Sequence, residues 1–407
     1  MRRAAWLFLL LLPAFLSVPA GVRAAATGRA PSQAPAARLR VATWNLEWLA
    51  RTPGQGPVPR RAADYRRLAA IAVRLDADLV ALQEVDGPEA ARRVFDPATY
   101  DFIFTGDVTN RQRTGFAVRR GLQVTRHPDL VDLAVETGAR RGADLTVHLA
   151  GADLRLLAVH LKSGCAGGPI DGAEAPCSTL KRQQAVLESW IDARVAAGEP
   201  FLVLGDFNRR FEAPDRFWID LDDGEPPGAD LVDLAEGRSP ACWGGRHRQF
   251  IDHAVLGRAT AGWVVPGSFA SPDYLPEERR YESTLSDHCP LRFTLDTARP
   301  PSPPILAADE AKGHVGEAAT VCGEVASKGR TSGGRGRILV DLDRPRPGAP
   351  FTAVADGADG AAAGALDRLE VGARVCVSGV VRLYRGRAEI VVRDAGAVVA
   401  RPRPVTR

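Results

Sequence analysis

Short polar clusters recur along this chain, and each lies at the end of a segment whose apolar residues predict a β-strand. Ser286-Asp287-His288, for example, stands just before the apolar run of residues 291–295. Because the ends of neighbouring strands meet at one edge of a sheet, polar side chains from several strands can converge there on one site. The clusters are Asn45 with Glu47, Glu84, His160, Asp206 with Asn208, Asp252, and Asp287 with His288. The pattern therefore predicts a sheet protein with a functional site at a strand edge.

Helical and strand patterns alternate over the first two thirds of the chain. Residues 60–75 and 180–197 place their apolar positions at helical spacing, which is typical of amphipathic helices. The continuous apolar run of residues 201–204 indicates a strand buried on both faces. Strands are also predicted at 39–44, 77–82, 100–105, 114–119, 121–127, 145–149, 153–161 and 250–256. Helices and strands therefore alternate in this part of the chain.

The N-terminal residues have the layout of a secretory signal. Arg2 and Arg3 precede an apolar run of residues 4–16, and Val22-Arg23-Ala24 forms a small-x-small cleavage site. Residues 1–24 are therefore predicted to be a signal peptide, and 25–37 a disordered lead-in rich in Ala, Pro, Gly and Ser. The apolar run is too short to span a bilayer, so we expect a secreted or periplasmic protein without stable membrane association after cleavage.

The C-terminal part of the chain is predicted to form a separate domain, which we call the C-terminal body. At 407 residues the chain is longer than one ordinary domain, and residues 297–313 form a Pro-rich linker. Residues 314–400 then carry five strand-like segments and one helical stretch at 361–369. That number of elements predicts a small all-β Greek-key barrel.

The six cysteines are an even number, which suits an oxidising compartment. Their placement suggests three local disulfides, although other connectivities remain open. The suggested pairs are Cys165 with Cys177, Cys242 with Cys289, and Cys322 with Cys376. A thiolate metal site is disfavoured because no Cys-x-x-Cys occurs.

Charge limits how the protein can contact polyanions. The formal net charge is +4, and three arginines of the N-terminal segment supply part of it. The rest of the chain carries no broad cationic surface, so contact with a nucleic acid must be local. Lys162, Arg209 and Arg210 are candidates for binding phosphate oxygens or a nucleic-acid backbone, with solvated surface charge as the alternative interpretation of each.

The clusters supply carboxylates and amides but no thiolates. This donor set suits Mg²⁺, Mn²⁺ or Ca²⁺ rather than zinc, and such an ion polarises a phosphoryl oxygen. Glu84 and Asp287 are the primary candidate ligands, and Asn45 is a candidate for holding a bridging water.

The remaining polar residues suit the chemistry of phosphoryl transfer. Asp206 and Asn208, two positions apart on a turn, can face the attacked phosphate. His160 and His288 can supply general acid–base catalysis and hydrogen bonds to developing charge. Asp252 can orient His288 by accepting its other N–H.

Six segments strongly resemble motifs of the endonuclease/exonuclease/phosphatase superfamily, in the order of that family. They are Thr43-Trp44-Asn45-Leu46-Glu47, Leu82-Gln83-Glu84-Val85, His160-Leu161-Lys162-Ser163-Gly164, Gly205-Asp206-Phe207-Asn208, Ile251-Asp252-His253 and Ser286-Asp287-His288-Cys289-Pro290. The resemblance covers residues 38–296 and implies that they form an α/β (α+β) four-layer sandwich of two mixed β-sheets flanked by helices. It also implies that Glu84 and Asp287 bind the metal and that His288, paired with Asp252, acts as the base.

Two departures from the family pattern bear on function. His160-Leu161-Lys162-Ser163 replaces the Tyr-x-Pro-Asn motif of abasic-site enzymes, which argues against that role. DNase-like members orient the imidazole equivalent to His160 with a glutamate, whereas the strand near Gln112-Arg113-Thr114 offers only an amide.

The C-terminal body resembles the OB-fold modules of secreted bacterial nucleases through Val321-Cys322-Gly323, Val375-Cys376-Val377 and Tyr384-Arg385-Gly386.

The leading hypothesis is a secreted or periplasmic metal-dependent nuclease acting on DNA, and on RNA as a further substrate. A lipid or small-molecule phosphoesterase is the alternative, and a non-catalytic nucleic-acid-binding protein is the second alternative. No protein partner is evident from the sequence.

Overall fold

The computed structural model describes residues 36–172, 174–211, 215–226, 228–245, 247–299, 303–331, 336–357 and 360–401. The predicted signal peptide and residues 25–35 of the predicted lead-in lie outside them. The helices are α1 (Ala62–Leu75), α2 (Pro88–Ala91), α3 (Ala175–Ala196), α4 (Arg216–Leu221), α5 (Cys242–Gly245), α6 (Arg258–Ala261) and α7 (Gly360–Asp367). The strands are β1 (Arg38–Leu49), β2 (Leu79–Val85), β3 (Tyr100–Phe104), β4 (Arg113–Arg119), β5 (Gln123–Arg126), β6 (Ala143–Leu149), β7 (Ala152–His160), β8 (Phe201–Asp206), β9 (Leu231–Asp233), β10 (Asp252–Gly257), β11 (Leu291–Asp296), β12 (Ile305–Ala307), β13 (Ala318–Arg330), β14 (Arg337–Leu342), β15 (Phe351–Asp356), β16 (Arg374–Tyr384), β17 (Arg387–Val392) and β18 (Val398–Arg401).

Two mixed sheets form the first body. One is five-stranded, in the order β11-β1-β2-β4-β3, and the other is six-stranded, in the order β5-β6-β7-β8-β10-β9. Parallel pairing occurs between β1 and β2 and between β7 and β8, whereas the neighbours of these pairs run antiparallel.

Alternation along the strands explains how the sheets and helices pack. In β8, Leu202 and Leu204 enter a core shared with Val41 of the other sheet, while Phe201 and Val203 pack beside residues of α3. Successive side chains of a strand point to opposite faces, so the apolar run of β8 is buried on both sides. Helix α1 packs in the same way against the outer face of the first sheet. The prediction of a mixed α/β body, with two sheets flanked by helices, is confirmed.

The first strand is longer than predicted. The sequence pattern ended it at Asn45, but β1 continues to Leu49. Its register against β2 shifts between Asn45 and Leu49, and we call this irregular stretch the bulge of β1. Bulges bend a strand and re-aim its side chains, and they are common beside active sites.

The C-terminal strands form a closed five-stranded barrel. Its order is β13-β14-β15-β17-β16, and pairing of β13 with β16 closes it. Helix α7 lies between β15 and β16 in the chain and packs its buried residues into the barrel core. Strand β12, inside the predicted linker, pairs with β13. The domain boundaries stay a prediction.

The three disulfides join Cys165 to Cys177, Cys242 to Cys289, and Cys322 to Cys376, which confirms the pairing that the sequence suggested. Cys322 and Cys376 are directly paired across β13 and β16. Among the described residues, no helix is long and apolar enough to cross a membrane.

Candidate active site

Strand register brings three ionisable residues side by side in the second sheet. His160 ends β7 opposite Asp206 at the end of β8, and Asp206 is paired with Asp252 at the start of β10. Side chains of directly paired residues lie on the same face of a sheet. All three are buried, with Asp206 only 1% exposed. Their proximity therefore follows from strand pairing alone.

The first sheet contributes Asn45 and Glu84. The Asn45 Nδ2 amide donates to Asp206 Oδ2 at 3.0 Å and to Glu84 Oε1 at 3.3 Å, so it connects the two sheets. The Trp48 backbone N–H donates to Glu84 Oε2 at 3.1 Å. Glu47, Trp48 and Glu84 have φ values of 42°, 55° and 58°, a left-handed conformation that non-glycine residues seldom adopt. Backbone strain of this kind clusters at functional sites.

His288 lies beside Asp206 on the opposite side from β7. Its Nδ1 is 2.7 Å from Asp252 Oδ2, and its Nε2 is 3.7 Å from Asp206 Oδ2. The segment that carries it is fixed from two directions. Ser286 Oγ donates to the Asn45 carbonyl, and Trp243 Nε1 donates to the Ser286 carbonyl. The neighbouring disulfide of Cys289 holds the segment to α5.

The two imidazoles are driven toward opposite protonation states. Burial lowers the pKa of His160 well below its ordinary value, and nearby Arg140 lowers it further. Burial also opposes charge on His288, but the carboxylates of Asp252 and Asp206 outweigh it and raise the pKa of His288 well above its ordinary value. Burial raises the pKa of the Asp206 carboxyl. Groups whose environments separate their pKa values in this way are candidates for distinct acid and base roles.

Carboxylates crowd around the outer edge of the site. The Asp287 backbone N–H donates to Glu47 Oε2 at 3.3 Å, and the Asp287 side chain is 58% exposed. Burial and the charges of Asp287 and Glu84 raise the pKa of Glu47 to about 7, although Arg60 partly offsets them. Oxygen ligands and uncompensated negative charge fit a hard divalent cation. Two sets of donors lie close enough to share an ion: Glu84, His160 and Asp206, and Asp206, Asp252 and His288.

Asn208 lies on the turn after β8, close to Asp206. Its backbone N–H donates to Asp206 Oδ1 at 2.8 Å, and its Nδ2 donates to the Leu161 carbonyl at 3.1 Å. Arg210 on the same turn is exposed. The Lys162 Nζ is 3.0 Å from Glu136 Oε1, and its side chain remains one-third exposed.

Arg209 does not fit the phosphate-binding role considered for it. Its side chain is 2% exposed, and its guanidinium is held by the Asp215 carboxylate and by the carbonyls of Cys165 and Gly168. A buried and fully engaged guanidinium stabilises the loop instead of binding a substrate. Arg209 is therefore a structural residue.

The sequence pattern missed Arg140. This buried side chain donates from Nη2 to the Leu161 carbonyl at 2.6 Å, and its charge acts on His160. Its pKa is lowered by burial. Arg140 stands in a Gly- and Arg-containing loop between strands, where nothing in the sequence separates it from Arg141.

Comparisons with known proteins give one family match and several structural matches. Residues 42–288 match the Endonuclease/Exonuclease/phosphatase family. A crystal structure of TDP2 from D. rerio, complexed with a single-strand DNA product, is 20% identical and covers 64% of this chain and 99% of its own, with a TM-score of 0.45. The 3′ phosphatase NExo from Neisseria, bound to a product DNA hairpin, is 17% identical and covers 63% of this chain and 99% of its own, with a TM-score of 0.43. An endonuclease/exonuclease/phosphatase from Bacteroides vulgatus is 16% identical and covers 64% and 98%, with a TM-score of 0.43. No curated protein sequence matches the chain.

Proposed function

This chain belongs to the endonuclease/exonuclease/phosphatase family, whose members are phosphoesterase hydrolases, and we propose that it is a divalent-metal-dependent phosphodiesterase that hydrolyses DNA, and RNA as a further substrate. The main observation behind the proposal is that Asn45, His160 and His288 all lie around the carboxylate of Asp206. Asn45 donates to its carboxylate, and His160 Nε2 and His288 Nε2 lie 3.5 Å and 3.7 Å from it. Such a set of donors around a recessed carboxylate suits a phosphodiester group and an attacking water.

Asn45, Glu84 and Asp287 would hold the cation, with Glu47 beside them, and Mg²⁺, Mn²⁺ or Ca²⁺ matches this donor set. When bound, the ion supplies charge that stabilises the phosphoryl oxygens. This role agrees with the raised pKa of Glu47, which burial and then the charge of Asp287 cause.

The protein's own groups divide the remaining work. The raised pKa of His288 keeps a proton on its ring at neutral pH, so it donates to a phosphoryl oxygen more readily than it removes a proton. The family resemblance implies instead that His288 acts as the base, and that role stays a prediction. Asp206, whose pKa burial raises, is the better acceptor for the proton of an attacking water. Asn208 orients Asp206, and neutral His160 contacts the phosphate or the leaving group.

The C-terminal barrel supports nucleic acid as the substrate class. Its closed strand order, with a helix between the third and fourth barrel strands, agrees with an OB-like fold. One cavity of about 410 Å³ on this body is lined by Arg337, Arg382 and Arg393 together with Asp356, and the Arg382 guanidinium is paired with Glu389 at 2.6 Å. Basic grooves of OB-like modules track the backbone of single strands. The disulfides support the proposed secreted or periplasmic location.

The test is a panel of plasmid DNA, single-stranded DNA, RNA and sphingomyelin vesicles, each with Mg²⁺, Mn²⁺ or Ca²⁺. We expect cleavage of DNA that EDTA stops and that His288→Gln or Asp287→Asn strongly reduces. His148→Gln is the matched control, because exposed His148 pairs through Nδ1 with Asp153 at 2.8 Å outside the site. Hydrolysis of sphingomyelin without cleavage of nucleic acid would replace the proposal with a lipid phosphoesterase.

A further inference from the structure

A cavity of about 410 Å³ opens at Trp48, near the end of β1, and at Asp86, just after β2. Its walls come from the β-bulge of β1, from the loop that follows it, and from the loop between β3 and β4. Trp48, Gln55, Thr109 and Arg111 are among the residues that line it. The volume lies within the range of about 300–1,000 Å³ typical of small-molecule sites.

The bulge in β1 separates two tryptophans that the sequence presents alike. Trp44 is fully buried in the core between the first sheet and α1. Trp48, four residues later and in the left-handed conformation, is only half-buried and lines the cavity. A regular strand would place both side chains on the same face. The bulge therefore frees an aromatic side chain beside the site.

This cavity is also connected to the proposed catalytic groups. The same Trp48 donates through its backbone N–H to Glu84 Oε2 at 3.1 Å. A ligand in the cavity therefore lies one residue from a proposed metal ligand.

The lining has the chemistry of a base-binding site. Trp48 offers an aromatic surface, and exposed Arg111 lies on another wall. Arg51 is held by Asp86 through two contacts of 2.7 and 2.9 Å, so its guanidinium is fixed in place. Gln55 and Thr109 supply hydrogen-bonding groups for the edge of a base.

We propose that this cavity binds the nucleobase next to the scissile phosphate, with Trp48 as the stacking surface and Arg111 contacting the adjoining backbone. The inference rests on the proposed nuclease function and identifies the substrate unit that the site selects. Stacking is tolerant of sequence because every base has a π-face. Stacking on Trp48 thus confers a requirement for a nucleotide unit without selecting a particular base.

The test uses an oligonucleotide in which phosphorothioate links protect every position except one. A tetrahydrofuran abasic residue is moved through the positions on both sides of the cleavable link. We expect Trp48→Ala to raise KM by between about 5-fold and 150-fold, the range for loss of one stacked base, whereas Trp48→Phe restores most of the affinity. Both replacements retain the backbone hydrogen bond to Glu84.

The abasic scan separates stacking from a structural role of Trp48. At one position the abasic residue should raise the KM of the wild-type enzyme by the same factor as Trp48→Ala does. At that position it should not raise the KM of the Trp48→Ala enzyme any further. Anisotropy of a labelled oligonucleotide in EDTA should report the same loss of affinity without turnover. Thr109→Trp, which fills the cavity from an exposed loop position, should weaken binding as well. Trp218→Ala, at a half-buried tryptophan outside this cavity, is the matched control.

The outcomes distinguish this inference from the function on which it rests. If the wild-type protein cleaves no nucleic acid, the proposed function fails and the inference fails with it. If the wild type cleaves DNA but Trp48→Ala binds it as tightly, only the base-binding site is refuted. The same conclusion follows if every abasic position raises the KM of both enzymes by the same factor.

Discussion

Replacing Asp252 by asparagine removes one charge from the candidate site and keeps the shape of the side chain. Asp252 Oδ2 accepts the hydrogen bond from His288 Nδ1 at 2.7 Å, and both side chains are largely shielded from water. Asp252 is also the foremost of the charges that raise the pKa of His288 against the effect of burial. Asp252→Asn should therefore lower that pKa and release the ring from its fixed orientation.

The expected loss follows from the strength of this bond. A hydrogen bond to a charged group contributes about 1.5–3 kcal/mol. If that contribution is lost in the transition state, kcat/KM falls by between about 10-fold and 150-fold. We expect most of the loss in kcat, because His288 acts on charge that develops during the reaction.

Two measurements check this result. Steady-state cleavage of an oligonucleotide with a single cleavable link gives kcat and KM, and imidazole NMR in EDTA follows the titration of His288, assigned with His288→Gln. Asp153→Asn is the control, because Asp153 accepts an equivalent bond from exposed His148. If Asp252→Asn is as active as this control, or if the titration of His288 does not move to lower pH, the assigned pairing has no role in catalysis.

Three further substitutions test other parts of the structure. Burial raises the pKa of Glu47 to about 7, so the folded state binds more protons than the unfolded state between about pH 4.5 and 7 and loses stability as the pH rises. Glu47→Gln should therefore stabilise the protein in EDTA by up to about 3 kcal/mol at pH 8 and have no such effect near pH 4. Equal shifts of the urea midpoint at both pH values would contradict this prediction. Arg209→Ala leaves the Asp215 carboxylate buried and unpaired and should lower the free energy of unfolding by about 3–5 kcal/mol; a raised KM with unchanged stability would restore its phosphate-binding role. Replacing Cys242 and Cys289 by serine removes a link across a sequence separation of 47 residues and should cost about 4 kcal/mol in urea unfolding, whereas an unchanged midpoint would show that the rest of the fold holds the two segments together.

The sequence predicted most of the elements, and the proximity of several candidate residues, because both depend on local patterns. Apolar patterns located the strands of both sheets except β9, and polar residues at several strand ends became candidates. His160, Asp206 and Asp252 illustrate the reason. Once β7, β8 and β10 are neighbours, strand register brings their terminal residues together. The disulfide pairs were suggested in the same way, from cysteines in segments that were expected to be close.

Features that depend on backbone irregularity or on burial were not predictable. The pattern ended β1 at Asn45 because a bulge interrupts alternation, so the different surroundings of Trp44 and Trp48 could not be inferred. Arg209 and Arg140 each follow small or polar residues and look like surface charge in the sequence. Their burial depends on distant partners, Asp215 for Arg209 and the Leu161 carbonyl for Arg140.

The difference between the two histidines also follows from the neighbours that each ring meets. Asp252 faces Nδ1 of His288. No described residue forms a hydrogen bond with the buried Nδ1 of His160. This agrees with the sequence, in which the strand near Gln112 lacks the glutamate that orients the equivalent imidazole in DNase-like proteins. Without an acid at Nδ1, burial and Arg140 keep the His160 ring neutral. Its proton is then best placed on Nε2, which lies 3.5 Å from Asp206 and 3.6 Å from Glu84. One imidazolium and one neutral donor thus flank the same carboxylate, and an acid introduced beside His160 would charge both rings and remove the asymmetry on which their separate roles depend.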